Sequence, residues 1–420
     1  MTLASFDLSP TGGGVYSGSP FPRREGGRGL GCPPTVSDAS TSVPSQKLSC
    51  TPLTNAYHIV YSLFETFRET FLKEKAVPAT IRDIAKRLGI SVSTVSYALN
   101  GGPRPVPDEV RQRVLEVARE LDYRPNRLAR SMVTGKTETI AVVPPVVTRN
   151  MLRSPYIHAM LSSIADAVGE HGYDILLHTS AAPMDDVELV QSLLSGKVDG
   201  ILLIAPLSTS QVPQELCQRN VPCVVVSARV EGLPSVYADN ATGIFAAMDW
   251  LYAHGHRRFG FVGGPSAFYD AHQRLLAFHQ YLQKHRLPLR KEWLAEGDFT
   301  ARGAMSGARA MLTSPERPTA VLAANDETAA GIVQVAQELE LRVPDDLSVV
   351  GFDDTPFAQV LSPRLSTVRQ PLEQMATEAV NMLMAWMEQR ERPAEEERKL
   401  PTELVLREST APAPGLSSHQ

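Results

Sequence analysis

Between Arg82 and Asn100, short hydroxyl side chains, small apolar residues and one phenol recur at a spacing suited to reading duplex DNA. Val92, Ser93 and Tyr97 are the base-edge candidates. They offer a methyl contact to thymine, a hydroxyl that serves either base type, and a longer aromatic reach. Thr94, Ser96 and Asn100 carry short polar groups that suit phosphate oxygens, which position a protein without specifying sequence. Arg82 and Ser91, near the starts of two helical segments, complete this set. From Pro78 to Lys136 there are eleven Lys/Arg against six Asp/Glu, although the 420-residue chain carries a net charge of −5. A basic module on an acidic body fits a protein that brings one end to phosphates.

The elements that must position these groups are legible. Thr80 and Asp83 form a capping-box pattern, and the first helix turns Ile81, Ile84, Ala85 and Leu88 inward. Ala85 is small where a second helix must cross, and Gly89 permits the left-handed backbone of a tight turn. The second helix starts at the N-cap Ser91 and buries Val92 or Val95 together with Ala98 and Leu99. A third begins at Pro107-Asp108-Glu109 and runs through Val110, Val114, Val117 and Leu121. The pattern is a helix-turn-helix, with an ordinary helical hairpin as the alternative; its second helix would lie in the major groove.

After Thr139 the rhythm changes to short apolar strands alternating with amphipathic helices. Strands are expected at 140–143, 174–178, 200–204, 223–226, 259–262, 320–323 and 348–352, with 400–410 as a final one. Helices are expected at about 157–171, 185–195, 241–254, 268–285, 301–313, 326–340 and 372–390. Such alternation implies parallel sheets covered on both faces, and the length favours two similar subdomains over one sheet. Asn325 and Asp326 then follow one strand and Asp353 and Asp354 another, at the carboxyl ends where ligands of such sheets bind.

Other parts of the chain carry less information. Residues 1–50 are rich in Gly, Ser and Pro and read as disordered, while 55–74 have the pattern of one amphipathic helix with Ile59, Val60, Leu63, Phe64, Phe67 and Phe71. Residues 1–76 as a whole read as a disordered or mis-assigned extension, since a start at Val77 would open the chain at Pro78. No apolar run reaches the ~18 residues that span a bilayer, and no export signal is evident, so a cytoplasmic, nucleoid-associated protein is expected. Cys217 and Cys223 lie close enough in sequence for a disulfide, but reduced thiols are expected. No dinucleotide fingerprint, phosphate-cradling loop or nucleophile elbow appears, so neither enzyme activity, cofactor nor metal is expected.

In combination, Thr94-Val95-Ser96, Tyr123-Arg124-Pro125-Asn126, Val198-Asp199-Gly200, Asp239-Asn240, Gly255-His256-Arg257-Arg258, Ala324-Asn325-Asp326, Gly351-Phe352-Asp353-Asp354 and Leu400-Pro401-Thr402 resemble the lactose/galactose repressor (LacI/GalR) family. The resemblance implies a helix-turn-helix domain (78–123), a hinge (124–137) and a periplasmic-binding-protein-like sensor and dimerisation domain (138–410). The sensor would divide into an N-subdomain, 138–238 with 372–400, and a C-subdomain, 239–370 with 402–410. Crossovers fall near Ala238–Asp239, Gln370–Leu372 and Pro401, and 411–420 form a disordered tail. It further implies that the hinge folds on DNA and enters the minor groove, with Asn126, Arg127, Ala129 and Arg130 in contact and Met132 as the apolar wedge. The strip is basic and too short to be a stable helix alone, which agrees. Two departures stand out. Met132 replaces the usual leucine wedge, and Tyr97 stands where many members carry Arg or Lys.

For the sensor, the resemblance assigns effector contacts to Arg274, Asn325 and Asp353, an aromatic stacking position to Phe299, a closure-sensing place to Gln370 and the opposite wall to Tyr156. Each has a plainer alternative: Asp353 as a helix cap, Arg274 as the partner of Asp270 four residues earlier, Phe299 as core. Ala205 and Pro206 are apolar where some relatives are polar. The implied function is a homodimeric repressor on a pseudo-palindromic operator, controlled by a small molecule, a sugar by preference. The alternatives are control by a partner protein or nucleobase, and a cytosolic sugar-binding protein without DNA function. A C-terminal leucine heptad is absent, so a dimer rather than a tetramer is expected.

Overall fold

The computed structural model describes residues 79–101, 104–125, 130–131, 134–145, 151–179, 184–394 and 396–415. The expected helix at 55–74 and the N-terminal extension lie outside these residues, as do Asn126, Arg127, Ala129 and Met132. The chain divides into two compact units, Met1–Val117 and Ala118–Gln420.

The first unit holds α1 (Ile81–Leu88), α2 (Val92–Asn100) and most of α3 (Asp108–Glu120). Asp83 reaches back to accept from the Thr80 N–H (2.8 Å) and hydroxyl (2.7 Å), which starts α1. Gly89 takes φ +66° and its N–H caps the Ala85 carbonyl, so the chain turns without a Cβ penalty. Ser91 caps α2 by accepting from the Thr94 N–H at 3.0 Å, and the Ser91 and Thr94 hydroxyls share a bond at 2.8 Å. Ile84, Val95 and Val114, one from each helix, are fully shielded from solvent. The choice left open in α2 is thereby settled: Val95 is 0% exposed and Val92 42%.

The second unit is two stacked α/β lobes. In the first, β1 (Thr139–Val143), β2 (Asp174–Leu177), β3 (Gly200–Ile204), β4 (Cys223–Val226), β5 (Ser235–Ala238) and β11 (Glu397–Leu400) pair in the order β11-β5-β4-β3-β1-β2, all parallel. In the second, β6 (Phe259–Gly263), β7 (Leu294–Glu296), β8 (Ala320–Ala323), β9 (Ser348–Asp353), β10 (Ser366–Arg369) and β12 (Glu403–Val405) pair in the order β12-β10-β9-β8-β6-β7, with only β12 antiparallel. Strand β3 shows why these segments fold so. Leu202 and Ile204 enter one core, Ile201 and Leu203 the other, so an unbroken apolar run serves a sheet covered on both faces.

Helices α4 (Pro155–Glu170), α5 (Asp186–Leu193) and α6 (Val212–Gln218) cover the first sheet, α7 (Asn240–Ala253), α8 (Tyr269–Lys284), α9 (Ala301–Leu312), α10 (Asp326–Glu338) and α11 (Pro356–Val360) the second. Helix α12 (Leu372–Gln389) returns to the first lobe and packs on α4. The chain passes between lobes after β5, after β10 and between β11 and β12. The single final strand expected at 400–410 is instead two short strands in different sheets, because Pro401 cannot donate to a ladder. The expected disordered tail also differs in its first residues. Ala411 donates to the Ser348 hydroxyl (3.1 Å), and Ala413 is buried with its N–H on the His254 carbonyl (2.9 Å). Cys217 and Cys223 are free thiols. Among the described residues no helix is long and apolar enough to cross a membrane.

Candidate nucleic-acid interface and ligand cleft

On the first unit, Arg82, Ser91, Val92, Ser93 and Asn100 are exposed, and Thr94, Ser96 and Tyr97 are half-buried. The N-terminal turn of α2 thus presents Val92 and Ser93 outward, while Ser91 and Thr94 spend part of their hydrogen-bonding capacity on the cap. Of the hinge candidates, Arg130 is described; it is half-buried and forms an ion pair with Glu138.

Within the second unit, a cavity of about 360 Å³ opens between the lobes. Tyr156, Arg274, Phe299, Asn325 and Asp353 all line it. Four of its residues, Ala205, Ser227, Phe299 and Asp353, have φ of +43°, +62°, +66° and +106°. Ala205 and Ser227 directly follow β3 and β4, Asp353 ends β9, and Phe299 follows β7 by three residues. Non-glycine residues hold such conformations only where their surroundings impose them, and clustering at strand carboxyl ends marks a preorganised site.

Arg274, 3% exposed, is the centre of the polar wall. Its Nε donates to Asn240 Oδ1 (2.8 Å) and its Nη1 to the Ala324 carbonyl. Nη2 stands 3.8 Å from Asp270 Oδ2 and Nη1 3.6 Å from Asp353 Oδ1, and the guanidinium lies 3.7 Å over the Phe352 ring. The two readings of Arg274 are therefore compatible: it faces the helix-mate Asp270 and the strand-end Asp353 together. Burial pushes both carboxyls above their ordinary range, and Arg274 opposes the shift. Asn325 caps α10 by accepting from the Thr328 N–H (2.9 Å), and its amide donates to the Phe299 carbonyl (3.0 Å). This bond helps hold Phe299 in its left-handed conformation, edge-on to Phe268 with centroids 5.4 Å apart.

The other wall is Tyr156, whose hydroxyl shares a hydrogen bond with Ser227 and whose ionisation burial opposes. Ser154 donates across the gap to Glu327 Oε2 (3.0 Å), and burial raises the Glu327 pKa. Gln370 departs from expectation. It lies behind the cavity, donating from Nε2 to Asp353 Oδ1 (2.7 Å), so it orients Asp353 rather than facing the space. Pro206 likewise lines a separate small cavity of about 100 Å³. Sequence reasoning missed Ser154, Ser227, Phe268, Asp270 and Glu327 as cavity-lining groups. Only Asp270 had a signal, its i,i+4 spacing to Arg274. Asp326, next to Asn325, faces inward and accepts from the Thr355 N–H (2.9 Å), the Thr355 hydroxyl (3.1 Å) and the Thr367 hydroxyl (2.5 Å).

Comparison with known proteins follows this division. Residues 80–126 match the family of bacterial regulatory proteins, lacI family, and residues 248–410 match a periplasmic binding protein-like domain. The chain is 31% identical over 349 residues to the HTH-type transcriptional repressor CytR of Escherichia coli (strain K12), covering 81% of this chain and 99% of that protein. It is 33% identical over 336 residues to the ribose operon repressor of Haemophilus influenzae, covering 79% and 98%. The lac repressor dimer solved with operator and the anti-inducer ONPF superposes with a TM-score of 0.71 at 26% identity, over 79% of this chain and 99% of that one. A transcriptional regulator CelR–cellobiose complex gives 0.61 at 28% identity, over 79% and 99%. A helix-turn-helix ahead of two α/β lobes with a strained polar cleft, matched end to end by such relatives, places the chain in the LacI family of bacterial regulatory proteins.

Proposed function

We propose that this regulator represses transcription as a homodimer on a pseudo-palindromic operator, and that an uncharged sugar in the interlobe cavity sets its affinity for DNA. The observation that carries the ligand is the cavity itself. Arg274, Asn325 and Asp353 converge there beside Phe299, a donor fork, an amide and an acceptor next to an aromatic edge. This set fixes ring hydroxyls while giving an apolar sugar face a surface. The neighbouring CelR structure, solved with cellobiose, supports the same ligand class. Two recognition helices would enter successive major grooves about 34–36 Å apart, Val92, Ser93 and Tyr97 reading bases while Arg82, Ser91, Thr94, Ser96 and Asn100 hold the backbone. The hinge residues Asn126, Arg127, Ala129 and Arg130 would follow the minor groove, with Met132 as a softer wedge than leucine. Acting on the genome, the protein works in the cytoplasm.

Linkage supplies the experiment. A sugar panel including cellobiose and ribose is titrated into the full chain by calorimetry, with and without an operator selected from a random duplex library. If ligand and DNA favour different states, each changes the other's affinity by the same factor, typically equivalent to about 1–3 kcal/mol. A chain that binds sugar without binding any duplex would remove the DNA half. DNA binding that no sugar, at any concentration tested, alters would remove the sugar half.

A further inference from the structure

The chain passes from the basic strip into β1 through a set of bonds that ties one hinge arginine to the sensor. Asp199 accepts from the Thr137 N–H (2.7 Å), the Thr137 hydroxyl (2.9 Å) and the Glu138 N–H (2.8 Å). Three donors on one carboxylate fix residues 137 and 138 against the body. Glu138 holds φ +52°, a conformation a glutamate keeps only under such constraint. With its backbone fixed, Glu138 turns its side chain back onto Arg130 and forms both a hydrogen bond and an ion pair with it. Arg130 sits on helical residues of the strip. The Gly135 N–H donates to the Ser131 carbonyl (2.8 Å) and the Thr134 hydroxyl to the Arg130 carbonyl (3.0 Å). The paired side chains are 32% and 37% exposed, so a competing anion can reach them.

We infer that Glu138 is a positioning residue that holds Arg130 away from the DNA backbone and so lowers the affinity of the ligand-free chain for duplex. The inference rests on the proposed DNA contact of the hinge. A guanidinium carries five N–H donors and Glu138 engages Nη2 alone, so the pair restrains Arg130 by position, and turning the guanidinium onto a phosphate gives up the Glu138 contact. Binding therefore exchanges the Glu138 carboxylate for a phosphate and leaves a bare carboxylate facing a polyanion. The pair also stands at the foot of two of the strands that reach the cleft. Asp199 directly precedes β3, which delivers Ala205 to the cavity, and Glu138 directly precedes β1, which leads to Pro145 on the same wall. Strands β1 and β3 are hydrogen-bonded neighbours, so the clamp at one end and Ala205 and Pro145 at the other hang on one strand pair.

The test uses the full chain, without added ligand, and a random-sequence duplex, with affinity read by fluorescence anisotropy over a series of salt concentrations. Glu138→Gln removes the charge and keeps the shape. It is expected to bind about two- to fivefold more tightly, the range of a partly exposed ion pair. The slope of log affinity against log salt should be unchanged, because both chains make the same phosphate contact once bound. Arg130→Gln, which loses that contact, should flatten the slope by up to about 0.9 per chain. Glu138→Asp, which keeps the charge but draws it back by one methylene, should gain less. Arg130→Gln should bind more weakly, and adding Glu138→Gln to it should bring no gain. Unchanged or weaker binding by both Glu138 variants, at unaltered thermal midpoints, would overturn the inference and make the pair a support of the hinge. If the wild-type chain binds no duplex, the DNA reading itself fails; normal wild-type binding with an inert Glu138→Gln sinks this inference alone.

Discussion

Replacing Arg274 with methionine should destabilise the sensor by about 3–5 kcal/mol, the usual cost of removing one partner from a buried ion pair. Methionine keeps much of the apolar stem, so the loss is electrostatic more than volumetric. The guanidinium is 3% exposed and faces Asp270 at 3.8 Å and Asp353 at 3.6 Å. Without it both carboxyls lose their counter-charge and keep only amide donors from Asn240 and Gln370, the Asn240 Oδ1 loses its donor, and so does the Ala324 carbonyl. In calorimetry a loss of that size corresponds to a melting point roughly 6–10 °C lower for a unit this large. The pH dependence separates this account from mere loss of packing. Burial already raises both carboxyl pKa values and Arg274 is the main opposing influence, so the substitution raises them further. An acid whose folded pKa lies above its unfolded value contributes stability below the unfolded pKa and loses it as pH rises through the folded one. The deficit of Arg274→Met should therefore grow from acid toward neutral pH, and adding Asp270→Asn should recover part of it. A deficit below about 1 kcal/mol, or one equal at acid and neutral pH, would refute the argument that charge balance governs this wall.

Four further outcomes follow from the same structure. Val95→Ala should cost the DNA-binding unit about 2 kcal/mol in denaturant titrations, from two lost methyls and a void, because Val95 is fully buried. Val92→Ala should leave stability unchanged and instead shift base preference in a duplex-library selection, since Val92 is exposed. Gly331→Ala should destabilise the second lobe by about 1–3 kcal/mol, as its Cβ would stand 2.2 Å from the Ala301 carbonyl oxygen, a backbone atom that cannot rotate away. Burial holds His256 below the ordinary histidine pKa, its ring engaged by Thr319 Oγ1 (2.9 Å) and the Ala411 carbonyl (2.9 Å), with Ser348, His254 and Arg257 also facing it. Its stabilising share is complete above the unfolded pKa and is lost as pH falls through it. Chain stability should drop on mild acidification, and His256→Gln should flatten that drop; an unflattened profile would count against it.

How much could be read from the chain varied with the physics of each element. Apolar runs such as Gly200–Ile204 declare a doubly covered strand through composition alone. Ser235–Ala238 and Ser366–Arg369 went unread because they are short and partly polar; sheet neighbours, not their own pattern, make them strands. Edge strands β7 and β11 are weaker still, and β11 reads as Glu-Arg-Lys-Leu. In the cleft, Arg274, Asn325 and Asp353 were reachable from motif and strand-end position. Ser154, Ser227 and Glu327 were not, since Ser154 meets Glu327 only through an arrangement that joins residues 173 apart.

By itself the sequence determined the helix-turn-helix, through Thr80, Gly89 and Ser91, because caps and turns are settled by local hydrogen bonds and backbone freedom. It likewise determined the alternation that makes two parallel sheets. Tertiary structure alone decided that Val95 and not Val92 is buried, that Gln370 stands behind Asp353, and that Arg130 is tied to Glu138. The reason is common to all three. Burial and charge pairing depend on which distant surfaces meet, and periodicity along one segment carries no record of its partner.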